Sequence, residues 1–237
     1  MIAFMKPDPA NRLVRNAQAT ALVGLPLLWM LMFTLHFHSI AEFFVFRDHY
    51  VPARAADTVG RLIAARNAWP MLHDPHQIGY LSLPLFVLAA FGLYALGRAG
   101  KPLIATLGIA LTVTGSIYIG GVFGLYTALT RGLGDVDPQF TDGAIATFSA
   151  VTSDHGAYGL TRALAQLALL GLAVQAMALW RDAGIPRWAP AIIVAGCALF
   201  LAFWDVDNLM FAGSICLIVG FVPVARVLWR PVERGAS

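Results

Sequence analysis

Six apolar runs, near residues 19–39, 78–96, 103–129, 158–180, 188–204 and 209–229, decide what this chain can become. A helix needs about 20 apolar residues to cross the hydrocarbon core of a bilayer. Backbone groups in lipid must be satisfied within the segment, and the alternating ten-residue pattern of a barrel is absent, so each run reads as a spanning helix. The expected fold is all-α: one six-helix transmembrane domain over 18–230, with short tails at 1–17 and 231–237. With 59% hydrophobic and 12% charged residues and a mean hydropathy of +0.71, the chain is far from the roughly 25% charged content of soluble domains.

The basic residues set the orientation. Lys6, Arg12 and Arg15 precede the first run, Arg98 and Lys101 lie in the second connection, Arg181 and Arg187 in the fourth, and Arg226, Arg230 and Arg234 at the end. All fall on one side if both termini are cytoplasmic, as the excess of positive charge on the inner face requires. Arg47, Arg54, Arg61 and Arg66 in the first connection oppose that pattern, although long connections are translocated with less regard to charge. The first run exceeds the 7–15 residues of a signal-peptide core, and "FHSIAEFF" is a poor cleavage site, so it is expected to stay as a helix. No basic stripe interleaved with aromatics suggests nucleic-acid binding.

Titratable residues then sort by depth. His36, His38, His49, His73, His76 and His155 all fall at or beyond the outer ends of the runs, with Glu42, Asp74, Asp154, Asp205 and Asp207. No Asp, Glu, Lys, Arg or His falls near the middle of a run, which argues against an ion-coupled transporter. If the first helix continues outward, His38, Glu42 and His49 lie within about 40° on one face, and His36 points nearly opposite.

In the first connection, Val59, Leu62 and Ile63 form an apolar stripe flanked by arginines, the pattern of a short helix on the membrane surface. In the third, "TDGAIATFSAV" reads as a surface or re-entrant helix capped by Thr141 or Asp142.

Histidine nitrogen with carboxylate oxygen is the ligand chemistry of zinc, non-haem iron, manganese or copper. The candidate ligands are His38, Glu42, His49, His73, His76 and His155, oriented by Asp74 or Asp154. Against this, helix ends at a membrane interface attract His, Tyr, Asp and Arg in any case, and no closed motif such as HExxH is present. For His73, Asp74 and His76 a helix cap is the simpler reading, and Asp205 and Asp207 in "WDVDN" read as turn formers. Thr112, Ser116, Gly120 and Gly124 make a small-residue stripe that would let a neighbouring helix approach, which makes the third helix central. Cys197 and Cys216 could be neighbours on adjacent helices, as packing residues rather than a redox pair. Gln166 and Gln175 offer interhelical hydrogen bonds.

The stretches "TALVGLPLLWMLMFTLHFHS", "HDPHQIGYLSLPLFVLAAFGLYALGR" with "LIATLGIALTVTG", and "IPRWAPAIIVAGCALFL" with "AGSICLIVGFVPVARVLWR" resemble, in order and spacing, a large set of bacterial six-helix inner-membrane proteins of about this length. That group has no established activity, so the resemblance implies a fold and a bacterial inner-membrane location and no chemistry. Two functions remain open: a metal-binding protein or metal-dependent enzyme acting on a lipophilic substrate at the outer face, and a non-catalytic accessory subunit of a larger membrane complex. Facilitated passage of a neutral lipophilic solute is a third. Membrane lipids are the expected surroundings, and other membrane subunits the expected partners.

Overall fold

Helices form where the apolar runs lie, in a computed structural model that describes residues 9–37, 40–44, 55–64, 75–153, 157–181, 184–204 and 206–230. Every regular element among the described residues is helical. They are α1 (Pro9–Thr34), α2 (Ile40–Phe43), α3 (Ala55–Ala64), α4 (His76–Leu81), α5 (Leu83–Gly97), α6 (Pro102–Gly134), α7 (Thr141–Val151), α8 (Ala157–Ala178), α9 (Trp188–Ala202) and α10 (Asp207–Trp229), with one 3-10 turn at Pro138–Phe140. Four stretches, Asn11–Thr34, Pro102–Gly134, Tyr158–Ala178 and Asp207–Trp229, are long and apolar enough to cross a membrane, as in a multi-pass membrane protein. Leu83–Gly97 and Trp188–Ala202 are apolar but shorter.

The helices close a ring in the order α1, α10, α9, α8, α6 and α5, and α5 also touches α8 across it. The tightest pairing is α6 with α8. A Cβ added at Gly115 would fall on the Ala168 backbone, and one at Gly171 would fall on Thr112. In lipid, helices gain little from hiding apolar surface, so contact at backbone distance and interhelical hydrogen bonds hold them together. One such bond runs from Gln175 Nε2 to Thr112 Oγ1 at 3.1 Å, and Thr112 Oγ1 donates to Gly108 O at 2.8 Å. Gln175 Oε1 is buried without a hydrogen-bond partner, so the amide contributes less than its one bond suggests. The small-residue stripe expected along this helix is divided: Thr112 and Ser116 are buried in the bundle, whereas Gly120 faces Leu83 and Gly124 faces Tyr80. The pair with Gly115 was not part of that stripe. Cys197 is buried, Cys216 half-buried, and both are free thiols.

Basic side chains finish one end of the bundle. Arg15 donates to Val227 O and Arg230 O at the end of α10, and Lys101 donates to Met177 O at the end of α8. Carbonyls at a helix C-terminus lack intrahelical donors and carry partial negative charge, so cations satisfy both needs.

At the other end α6, 33 residues long and therefore about 50 Å, runs beyond the roughly 30 Å of a hydrocarbon core. Its last turns are covered by α3 and α7, with Val59, Leu62, Leu133, Ala144 and Phe148 in one apolar cluster. The apolar stripe on α3 packs on protein. Helix α7 spans the expected 141–151, but its N-cap position is Phe140, and neither Thr141 nor Asp142 caps it: the Thr141 hydroxyl donates to Pro138 O.

Two substitutions test the α6–α8 seam. Gly115→Ala should cost about 3 kcal/mol or more, because backbone on the facing helix cannot shift as a side chain can. Gly132→Ala, where an added Cβ meets nothing, should be neutral or stabilise by up to about 1 kcal/mol. Unfolding titrations in mixed micelles would compare them. In the same assay Gln175→Leu should stay within about 1 kcal/mol of the parent protein, since it removes an unsatisfied carbonyl along with the bond; a loss above about 2 kcal/mol would contradict this balance.

Candidate functional site

A side chain competing with its own backbone ends α1. The His36 amide donates to Phe33 O at 3.1 Å, an i→i−3 bond, while His36 Nδ1 lies 2.8 Å from Met32 O, the carbonyl a continuing helix would have given to that amide. A carbonyl can only accept, so Nδ1 carries the proton and, in the neutral ring, Nε2 keeps the lone pair. Such local competition terminates helices. The chain leaves the helix at Thr34 and re-forms one as the separate α2. The continuous helix on which His38, Glu42 and His49 would share a face is therefore broken, and His36 turns back over the end of the bundle.

His76 arrives at the same place from α4. Pro75 holds the N-cap position with no side-chain cap, and His76 is the first helical residue, so it does not cap the helix. Its ring centroid is 4.8 Å from that of His36, edge to face at 89°, and 4.2 Å from that of Tyr126. Two features seat α4. A Cβ at Gly79 would press on the Phe123 ring and the Met32 sulfur, so the missing side chain lets α4 lie between α1 and α6. Trp29 Nε1–H donates to Ser82 Oγ at 2.9 Å, and that hydroxyl donates to Gly79 O at 2.7 Å, which satisfies a buried indole and a buried hydroxyl together. Pro84 removes a helical donor just beyond Ser82, where α4 gives way to α5.

Asp207 enters from the third direction. It is the first residue of α10 and only 7% exposed, placed where the partial positive charge of a helix N-terminus favours a carboxylate. Of the two expected turn formers, Asp205 lies outside the described residues, and Asp207, at the helix start that follows the turn, lines a cavity. The next residue fixes α2, for Asn208 Nδ2 donates to Phe43 O at 3.2 Å and Phe43 stacks edge-on to Phe211.

Together these side chains line one crevice of about 570 Å³, its open mouth included, narrow enough to admit only a few water-sized groups. Aromatic rings make its walls: Trp29 lies 5.1 Å from Phe200 and 5.5 Å from Phe86, and Phe33 lies 5.8 Å from Phe200. Its polar lining is His36, His76, Asp207, Tyr126 and Tyr158, joined by Met32 and Met210. Two imidazoles, a carboxylate and two phenols in an apolar setting can pass protons or ligate a cation.

Of the residues expected from sequence to form the site, His76 is in it. His38, His49, His73, His155, Asp74 and Asp154 lie outside the described residues, and of Glu42 only the backbone on α2 is described. Among the described residues no three of His, Cys, Asp and Glu stand close enough together to hold a metal ion. Sequence reasoning missed His36, Asp207, Tyr126 and Tyr158. The available signal was that all four sit at the same end of their apolar runs.

A double-mutant cycle of Trp29→Phe with Ser82→Ala tests how α4 is seated. Ser82→Ala alone should cost about 1–3 kcal/mol, because it orphans the indole N–H. A coupling energy near zero would show that the bond does not hold α4 against α1. No family model, curated protein or solved structure matches this chain.

Proposed function

We propose that this is a six-span protein of the bacterial inner membrane, with both termini cytoplasmic. Its outer end binds a transition metal in the crevice of His36 and His76 and offers it to a small or lipophilic molecule. Several observations support six spans. Helices α4 and α5 continue through Ser82, whose amide and carbonyl bond Ile78 O and the Phe86 amide, so 76–97 is about 33 Å long. The 15 residues of α9 lie between two longer neighbours, α8 and α10. The concentration of described Lys and Arg at the end holding both the start of α1 and the end of α10 supports the orientation.

The observation that carries the metal reading is the pairing of the two imidazoles. The ring centroids of His36 and His76 are 4.8 Å apart, edge to face as aromatic rings also pack, so a turn of one ring would be needed to aim both nitrogens at one ion. The Nδ1–H···O bond to Met32 is the kind of outer contact that orients a ligating histidine. Asp207 lines the same crevice. In the sequence His38 follows His36 by two residues, His73 precedes His76 by three and His155 precedes Tyr158 by three; these, with Glu42 and His49, are the remaining candidate ligands. A bound ion there would activate water or oxygen or polarise a substrate.

The alternative is a non-catalytic accessory subunit. Phe44 and Phe140, 72% and 62% exposed at this end, favour it as apolar rings suited to a partner.

Elemental mass spectrometry of the detergent-purified protein, beside a His36→Ala, His76→Ala variant of matching helicity and elution, decides between the readings. About one Zn, Fe, Mn or Cu per chain, lost in the variant, is expected. A metal-free parent protein that remains folded would contradict the metal reading and favour the accessory subunit.

A further inference from the structure

We infer that the basic end of the bundle holds an acidic phospholipid, whose phosphate docks in the groove between the start of α1 and the end of α10 on Arg12, Arg15, Arg226 and Arg230. This site lies at the opposite end from the crevice and is independent of the metal reading.

Arg15 bridges that groove. It is half-buried, and its Nη2 donates to Val227 O at 3.3 Å and to Arg230 O at 3.2 Å. The last carbonyls of α10, which would repel an anion, are thereby covered by a cation. Both bonds use Nη2, and Nε and Nη1 make no hydrogen bond to the described residues; the guanidinium fork suits phosphate oxygens. Arg12 is its neighbour one turn earlier on α1, and Arg226 and Arg230 are one turn apart at the end of α10. Arg12, Arg226 and Arg230 are exposed. The first turn of α1, which opens at the same place, holds no acidic residue, and its amides lack intrahelical acceptors, a setting that favours a phosphate.

Charge and depth point the same way. Among the described residues no Asp or Glu lies at this end: Glu42, Asp57, Asp135, Asp137, Asp142 and Asp207 all belong to the other. The described charge here is therefore of one sign, and an anionic headgroup balances it. Trp180, Trp188 and Trp229, at 40%, 49% and 44% exposure, sit at the same end, and half-exposed indoles mark the headgroup layer of a bilayer. Trp229 adjoins Arg230, so the groove lies at the depth of lipid phosphates. Basic residues in the other connections contribute to the same field, so the test must separate a docked headgroup from diffuse attraction.

The full-length protein in detergent would be incubated with equal amounts of phosphatidylglycerol and phosphatidylcholine bearing the same acyl chains, and the retained lipid counted by native mass spectrometry. The parent protein should keep one phosphatidylglycerol per chain, preferred over phosphatidylcholine by about fivefold or more. Arg12→Gln with Arg226→Gln, whose parent side chains bond no other described group, should lower that preference below about twofold. Arg98→Gln with Arg181→Gln removes as much charge from the same end but from the connections between α5 and α6 and between α8 and α9, and should keep the preference above about fourfold. Helicity and elution matching the parent protein are the condition for comparing the variants. A parent protein with no preference for phosphatidylglycerol, or equal losses in the two variants, would overturn the inference.

Discussion

Backbone contact between α6 and α8 sets the geometry from which the rest of the bundle follows. Because Gly115 and Gly171 leave no side chain between the helices, the two axes approach closely along the Gly108–Thr112–Gly115 stretch, and hydrogen bonding through Gln175 and Thr112 adds direction. Further out, α6 carries Tyr126 and α8 carries Tyr158 in its first turn, so the position of both phenols at the crevice is a consequence of that seam. The ring of helices closes around it through α5 and α1 on one side and α9 and α10 on the other.

The two ends of the bundle solve opposite problems. At the basic end, C-terminal carbonyls of α8 and α10 need donors, and Lys101 and Arg15 provide them. At the other end α1 stops because His36 takes the Met32 carbonyl, α4 begins at a proline, and α10 begins at Asp207. Three helix termini thus deliver their polar groups into one aromatic enclosure. Extension of α6 past the bundle, with α3 and α7 packed on it, brings Phe148 to 6.0 Å from Tyr126 and links that outer layer to the crevice.

The helical class and the bounds of α7 could be read from the sequence because lipid allows one solution to long apolar runs and because "TDGAIATFSAV" is bracketed by Pro138 and Ser153. Concentration of titratable groups at one end was also legible, as a matter of where charge can sit. The partnership within the site was not. His36 was placed on the opposite face from His38 because a continuing helix was assumed, and its capture of Met32 O depends on a rotamer that spacing does not disclose. Asp207 looked like a turn residue because "WDVDN" is short; only packing of α10 against α1 and α9 buries it. Gly115 escaped the stripe of residues four apart because the seam with α8 follows an alternation of three and four.

The meeting of His36 and His76 is tested most directly by magic-angle-spinning NMR of protein labelled at histidine, tryptophan and phenylalanine in lipid, with His76→Gln used to assign the resonances. Cross-peaks between the two imidazole rings, together with a His36 ring protonated at Nδ1, are expected from a centroid separation of 4.8 Å. Rings showing no mutual contact under conditions where the Trp29–Phe200 contact is seen would contradict the site.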